Sequence, residues 1–300
     1  MGLVYALGAC LIWGLVVPVQ FRWLSAMAPE AILAHRIAWS AVFVAGLLLV
    51  LRHRLANPLP LRPRHGLLAV SAGLIAFNWL LYVTAVGSGH MLDASLGYLI
   101  NPLVAVLLGA VALRERLRPV QIVAVVIAAT GVAIAVAMAG KLPLLSLGLA
   151  VSFAIYALIR KIVGVDALLG FCAETVLLLP FALAYLAVQP AGTAPADTFG
   201  FVLLVATGVT TALPLIWFAT AAQHLTLATL GLMQYIAPSC LMLLSVFVYG
   251  ERLAPDRQVM FALLWLALIL YAADSFRAAR AATGDRGSGM PASPEEERGT

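Results

Sequence analysis

Charge is scarce in this 300-residue chain. It has 18 Lys and Arg and 13 Asp and Glu, so that 10% of its residues are charged, whereas 63% are hydrophobic. A soluble domain carries about 25% charged residues. A compact soluble protein of this length could not hide so much apolar surface from water. The composition excludes a cytosolic enzyme, a secreted disulfide scaffold and a disordered protein, and it indicates that lipid is the solvent for most of the chain.

Cysteines and catalytic motifs are scarce as well. Cys10, Cys172 and Cys240 all lie in apolar runs, without a C-x-x-C pair or a histidine at metal-ligand spacing. The sequence also lacks G-x-S-x-G, H-E-x-x-H and the phosphate-binding loop G-x-x-x-x-G-K-[ST]. We therefore expect no enzyme, no metal, no cofactor and no ATP-driven transport by this chain alone. The arginines occur singly or in short groups between apolar runs, which argues against nucleic acid as a partner.

Long apolar runs fill the rest of the chain. A helix that crosses the hydrocarbon core needs about 20 mostly apolar residues. The sequence predicts an all-α integral membrane protein with ten such helices, at about 2–21, 30–51, 66–86, 90–113, 119–138, 144–160, 166–189, 199–222, 226–249 and 257–276. The segments between helices that lie on the same side of the membrane as the termini hold about three times as many basic residues as those on the other side. This predicts cytoplasmic N- and C-termini. Residues 277–300 are rich in Gly, Ser and Pro, and we expect a disordered cytoplasmic tail.

An internal repeat divides the predicted helices into two sets of five. The run A-S-L-G-Y-L-I-N-P ends at Pro102 and is followed by Glu115 in E-R-L-R-P, and A-T-L-G-L-M-Q-Y-I-A-P ends at Pro238 and is followed by Glu251 in E-R-L-A-P. Because five is odd, the second copy enters the membrane from the opposite side. The sequence thus predicts inverted repeats over 2–138 and 144–276, a pattern typical of secondary transporters with a substrate site between the repeats. The alternative is a duplication that only builds a larger bundle.

Several motifs carry a family resemblance over residues 2–276. They are L-I-W-G at 11–14, I-L-A-H-R at 32–36, N-W-L-L-Y at 78–82, G-H-M-L-D-A-S-L-G-Y-L-I-N-P-L at 89–103 and L-G-L-M-Q-Y-I-A-P at 230–238. Together with the repeat, they resemble the RarD branch of the EamA-type drug/metabolite transporters. The resemblance implies a permease of the bacterial inner (plasma) membrane, often an exporter, that works by alternating access around a central cavity.

Two ionisable residues lie well inside predicted helices, Arg36 and Glu174. A charge at a helix centre costs about 2.5–3.5 kcal/mol, which makes it a functional hypothesis by default. We expect Arg36 to bind an anionic group of the substrate and Glu174 to take up a proton, because burial disfavours the charged carboxylate. Their predicted depths differ by about 9 Å at 1.5 Å per residue, so that a direct ion pair would need long side chains or a water. The alternative for both is a structural polar contact within the bundle.

A second group of candidates is polar or aromatic. We expect these side chains to line the substrate cavity: Trp13, Asn78, Tyr82, Tyr98, Asn101, Trp217 and Gln234. The alternatives are hydrogen bonds between helices for the polar side chains and placement against lipid for the tryptophans. Glu115 and Glu251 are expected to anchor helix ends at the lipid headgroups.

The combined prediction is a secondary transporter that moves a small organic metabolite or drug through the bilayer. Export is the expected direction, with proton exchange or facilitated diffusion as the driving mode. Small residues on the fifth helix leave open whether they pack internally or in a homodimer. Two alternatives belong to other classes. A lipid scramblase or structural membrane subunit predicts a furrow open to lipid or no transport, and an intramembrane lipid-modifying enzyme predicts a nucleophile and base at one depth.

Overall fold

The computed structural model describes residues 1–51, 63–87, 91–138, 144–188, 197–250 and 255–287. Within these ranges the chain is helical throughout the predicted spans, which confirms the all-α membrane fold. Among the described residues, nine helices are long and apolar enough to cross a bilayer, and the remaining one, α3, contains the shorter apolar stretch Leu67–Tyr82. The helices are α1 (Gly2–Trp23), α2 (Pro29–Val50), α3 (Leu67–Gly87), α4 (Met91–Ala112), α5 (Pro119–Met138), α6 (Leu144–Val163), α7 (Ala167–Val188), α8 (Thr198–His224), α9 (Leu227–Phe247) and α10 (Pro255–Gly287).

Two helices extend past their predicted ends. Helix α6 continues past the predicted end at residue 160 to Val163, so that both Arg160 and Lys161 lie in its last turn. Basic side chains are favourable at a helix C-terminus, and for that reason the first charge does not end the helix. Helix α10 continues to Gly287, so that the predicted disordered tail is helical over residues 277–287. Residues 288–300 lie outside the described ranges.

Helix α9 is interrupted at Gln234 and Tyr235, which form a turn between two shorter helices. Pro238 explains the interruption, because proline has no N–H to donate to the carbonyl four residues earlier and its ring clashes with that carbonyl. The backbone N–H of Ala237 donates to the Gln234 carbonyl instead, at 3.1 Å. The interruption lies beside the crossing of α9 with α4.

Helices of the first half of the chain pack mainly on helices of the second half. Helix α2 lies against α7 and α8, α3 and α4 lie against α6, α1 lies against α8, and α5 lies against α10. One of the two main buried clusters contains Ala6 and Val44 together with Ala157 and Phe218. Small residues let these helices approach closely, and close packing holds helices together where lipid removes the hydrophobic driving force. The two halves therefore interlock along their length.

The closest of these approaches gives a stability prediction. A Cβ atom on Gly208 of α8 would collide with the backbone carbonyl of Trp39 on α2, and overpacking of this kind costs about 1–3 kcal/mol. We expect Gly208→Ala to lower the thermal unfolding midpoint in detergent. Gly46→Ala on α2 is the matched control, because nothing lies within 4 Å of its Cβ position. Equal midpoints for the two variants would contradict the close packing of α2 on α8.

Candidate functional site

Arg36 lies seven residues after the start of α2, in a largely aromatic setting. Its Nε donates a hydrogen bond to the Thr211 hydroxyl of α8 at 2.9 Å. Its guanidinium carbon lies 5.0 Å from the Phe21 ring centroid and 5.2 Å from that of Trp79. In the described part of the chain no carboxylate lies within ion-pair distance of it. Ring faces and one hydroxyl thus hold a positive charge that can still receive an anion.

Two tyrosines stand beside this arginine. The Tyr82 and Tyr98 rings meet edge to face with their centroids 6.0 Å apart, and both hydroxyls lie within electrostatic range of the guanidinium. Tyr98 is 47% exposed, so that part of its ring is not covered by protein. Arg36, Tyr82 and Tyr98 are the predicted residues that the structure brings into one place.

The predicted amides occupy two other places. Asn78 is buried and donates from Nδ2 to the Leu149 carbonyl at 2.8 Å and to the Ser152 hydroxyl at 2.9 Å, so that it joins α3 to α6. Asn101 of α4 donates to the Gln234 side-chain oxygen at 2.6 Å, at the interruption of α9. The buried Asn101 Oδ1 and Gln234 Nε2 have no hydrogen-bond partner among the described residues. The α4–α9 crossing therefore retains one acceptor and one donor.

The two predicted tryptophans lie in the packed core rather than beside Arg36. The Trp13 ring lies 5.9 Å from Phe153 and 5.5 Å from Phe218, measured between centroids. Trp217 packs on Tyr5 at 6.5 Å. Both rings are half-buried between α1, α6 and α8. Trp79, which the sequence analysis did not select, is the tryptophan that contacts the Arg36 guanidinium.

Glu174 has its own set of partners, distinct from those of Arg36. Its carboxylate accepts hydrogen bonds from the Ser71 hydroxyl at 2.5 Å and the Tyr156 hydroxyl at 3.4 Å, and it pairs with Arg160 at 3.4 Å. Arg160 also donates to the Ala167 carbonyl at 3.0 Å. Both charged side chains are almost completely buried, at 1% exposure for each residue. Arg160, the last residue of the predicted span 144–160, was not among the residues expected to be functional. Its role could have been inferred from the four-residue spacing between Tyr156 and Arg160, which puts both side chains on one face of α6.

A small cavity lies beside Glu174, on the side of Trp79. Its volume is about 10 Å³, enough for about one water molecule. Glu174, Tyr156 and Ser40 contribute to its lining, and so does Trp79, which also stacks over Arg36. One tryptophan side chain thus contacts both the cationic site and the cavity beside the carboxylate.

Glu115, which was expected to anchor a helix end at the lipid headgroups, instead contacts the start of another helix. Its two carboxylate oxygens accept hydrogen bonds from the backbone N–H groups of Leu227 at 2.7 Å and Ala228 at 3.1 Å, at the start of α9. The physical reason is that the first N–H groups of a helix have no partner within the helix and attract a negative charge. Glu251, for which the same prediction was made, lies outside the described residues.

Comparison with known proteins places the chain among membrane transporters. Residues 1–137 match the EamA-like transporter family. The chain is 46% identical over 289 residues to a Pseudomonas aeruginosa protein named only as an uncharacterized transporter, with 93% of this chain and 95% of the relative covered. It is 44% identical over 280 residues to protein RarD of Salmonella typhimurium, with 91% and 95% covered. A crystal structure with 17% sequence identity has the same fold, with a TM-score of 0.73 over 90% of this chain and 96% of the other.

The buried ion pair gives a second stability prediction. Removing one partner of a buried pair leaves an uncompensated charge and costs about 3–5 kcal/mol, whereas replacing both by uncharged groups costs less. We expect Arg160→Met to lower the unfolding midpoint in detergent more than the double variant Arg160→Met, Glu174→Gln does. Arg118→Met is the control, since Arg118 pairs with Asp274 where its side chain is 43% exposed, and such a pair contributes about 0–1 kcal/mol. If the double variant had the same unfolding midpoint as Arg160→Met, an uncompensated Glu174 charge would not be the cause of the lower midpoint.

Proposed function

This chain belongs to the EamA-like transporter family and is RarD-like, and from that membership we propose that it exports a small organic anion from the bacterial cell by alternating access. The observation that carries the proposal is the Arg36 site. A guanidinium lies between aromatic rings, without a carboxylate partner among the described residues, and next to the exposed ring of Tyr98. Such a site fits a solute with an anionic group on an apolar or aromatic body.

The proposed transporter consists of two inverted repeats, over 2–138 and 144–276. Two close contacts support this division. A Cβ atom on Gly8 of α1 would lie 2.7 Å from the Trp217 ring of α8, and one on Gly148 of α6 would lie 2.8 Å from Leu81 of α3. Gly8 corresponds to Gly148, and Leu81 to Trp217, when the repeats are aligned on L-G and T-A. The α1–α8 contact and the α3–α6 contact are therefore counterparts, as a pseudo-two-fold axis requires.

The two central charges fit the same symmetry. Helices α2 and α7 are both 22 residues long, and Arg36 and Glu174 each stand seven residues after the first residue of their helix. Arg36 bonds to α8 and Glu174 to α3, which are again counterpart helices. The proposed repeats thus present a cation from one copy and a carboxylate from the other.

An asymmetry between the repeats supports alternating access. Gly97 of α4 and Gly231 of α9 occupy the same place in the repeat. Gly231 lies against the Pro102 carbonyl and Ala105 of α4, whereas Gly97 lies against Leu149 of α6. The first half of α9 therefore packs along α4, while its second half packs on α1. We interpret this as a state closed at the α9 N-terminal end and open at the opposite end, which is the outside if both termini are cytoplasmic.

Glu174 is the proposed site of proton exchange. Its carboxylate has three hydrogen-bonding partners and borders a cavity with room for about one water. Trp79 lies between this cavity and the Arg36 guanidinium. A solute at Arg36 can therefore affect protonation of Glu174 through the position of a single ring.

The first test concerns the anion site. In a strain without its own RarD-like proteins, compounds that accumulate in the medium only when this chain is expressed are its exported solutes. We expect Arg36→Ala to lower their export by about 10- to 100-fold, because a hydrogen bond to a charged group contributes about 1.5–3 kcal/mol. Arg22→Ala is the matched control, since Arg22 also stacks on a ring, that of Tyr249 at 4.0 Å, but is exposed at the end of α1. Unchanged export by Arg36→Ala would contradict the site.

The second test concerns proton coupling. In proteoliposomes we expect Glu174→Gln to abolish solute accumulation driven by a pH gradient, because the amide cannot take up a proton, while exchange of labelled against unlabelled solute persists. Glu30→Gln, an exposed carboxylate at the start of α2, is the control and should accumulate solute normally. Gradient-driven accumulation by Glu174→Gln at the unsubstituted rate would remove Glu174 as the coupling group.

A further inference from the structure

The C-terminal end of α4 folds back towards the bundle. Arg114 adopts a left-handed backbone conformation with φ of 54°, which few residues other than glycine adopt. The N–H of Glu115 then donates to the Gly109 carbonyl at 3.0 Å. This turn directs the Glu115 side chain back across the helix end rather than outward. An unfavourable backbone conformation is thus maintained at the residue before the carboxylate.

Glu115 holds the start of α9. Both of its oxygens accept backbone N–H groups there, from Leu227 and Ala228. The contact joins the end of α4, in the first proposed repeat, to the start of α9, in the second. It also lies at the end of the bundle where α9 packs along α4.

Lys161 holds the preceding turn from the other side. Its ammonium donates to the carbonyls of Ala222 at 3.1 Å and of Leu225, which end α8. The Lys161 nitrogen also lies 3.9 Å from a Glu115 oxygen. The turn between α8 and α9 is therefore bound by a carboxylate from α4 at its N–H groups and by an ammonium from α6 at its carbonyl groups. Each charge has the sign that its helix end favours.

The position of this cluster suits a contact that opens and closes. The Glu115 and Lys161 side chains are 11% and 22% exposed, unlike the completely buried Arg160 and Glu174. A cavity of about 440 Å³ adjoins the cluster, with Arg116, Thr226 and Tyr271 among its lining residues. Glu115, Leu225 and Ala228 also line it, so that water from this cavity can hydrate the carboxylate and the α8–α9 turn once they separate. This lowers the cost of breaking the contact, because an unpartnered buried group is what makes such a break expensive.

We propose that Glu115 and Lys161 form the inner latch of the transport cycle: they hold the α8–α9 turn against α4 and α6 while the transporter is open to the outside, and release it when the inner side opens. The proposal rests on the alternating access of the proposed function and identifies residues that control it. The latch acts by positioning α9 relative to α4, without contact to the solute.

The test measures which side of the bundle is open. Cys10, Cys172 and Cys240 are replaced by alanine, and one reporter cysteine is introduced at a time. Leu230→Cys lies one turn inside α9, where leucine is 1% exposed. Ser95→Cys is exposed and shares a face of α4 with Tyr98. Full-length protein in liposomes is treated with a membrane-impermeant thiol reagent from either side, without solute.

In this assay we expect Glu115→Gln to raise the modification rate at position 230 and lower that at position 95, each by about tenfold, since coupling between two sites is commonly of that size. Lys161→Met should change both rates in the same directions, and it gives a second measurement if Glu115→Gln folds poorly. Arg116→Gln is the matched control, because it removes a neighbouring charge from the same cavity. It should leave both rates unchanged.

Only a reciprocal change supports the latch. An increase at both positions would mean that Glu115 merely stabilises the fold, and unchanged rates at both would mean that the contact persists through the cycle. Either result would overturn the proposal. Because no solute is present, failure of the exporter hypothesis is detected separately. Reciprocal accessibility without any exported compound would contradict the proposed function and leave the latch supported.

Discussion

The ion pair between Arg160 and Glu174 joins α6 to α7 inside the bundle, where each residue is 1% exposed. Ser71 of α3 and Tyr156 of α6 complete the shell of the carboxylate. Because a buried charge without partners costs several kcal/mol, the relative positions of α3, α6 and α7 depend on this cluster. Trp79, two turns along α3 from Ser71, then reaches the Arg36 guanidinium. The proposed anion site therefore depends on an ion pair that does not itself include Arg36.

Close contacts at glycine bring polar groups of different helices within hydrogen-bonding distance. They let α2 approach α8, and they let α9 cross α4, so that hydrogen bonds can form between side chains of different helices. Lipid hydrocarbon is as apolar as leucine, and packing and polar contacts must supply the association that water drives elsewhere. At the crossing of α4 with α9, close packing at Gly231 and the hydrogen bond between Asn101 and Gln234 occur together. The Asn101 Oδ1 and Gln234 Nε2 atoms, which have no partner in the described part of the chain, leave that crossing able to bind another group.

The fold followed from the sequence because span length and scarcity of charge are properties of short segments. Arg36 and Glu174 were also found, since a charge inside an apolar run is visible without any tertiary information. Arg160 was missed because the predicted end of α6 was drawn at the first basic residue, whereas the helix continues to Val163. Trp79 and Glu115 were misjudged for a different reason. Their roles depend on helices distant in sequence, and only the packing of α3 on α2 and of α4 on α9 reveals them.

In the proposed inverted repeats, the matching positions of Arg36 and Glu174 have a consequence for how such a protein can arise. Two identical five-helix chains that insert in opposite directions would carry the same residue at both positions. Two like charges in one bundle repel each other in a medium of low dielectric constant. Fusion of the copies into one polypeptide removes this restriction, because each copy can mutate alone. A cation in one half and a carboxylate in the other is an arrangement that two identical chains could not have.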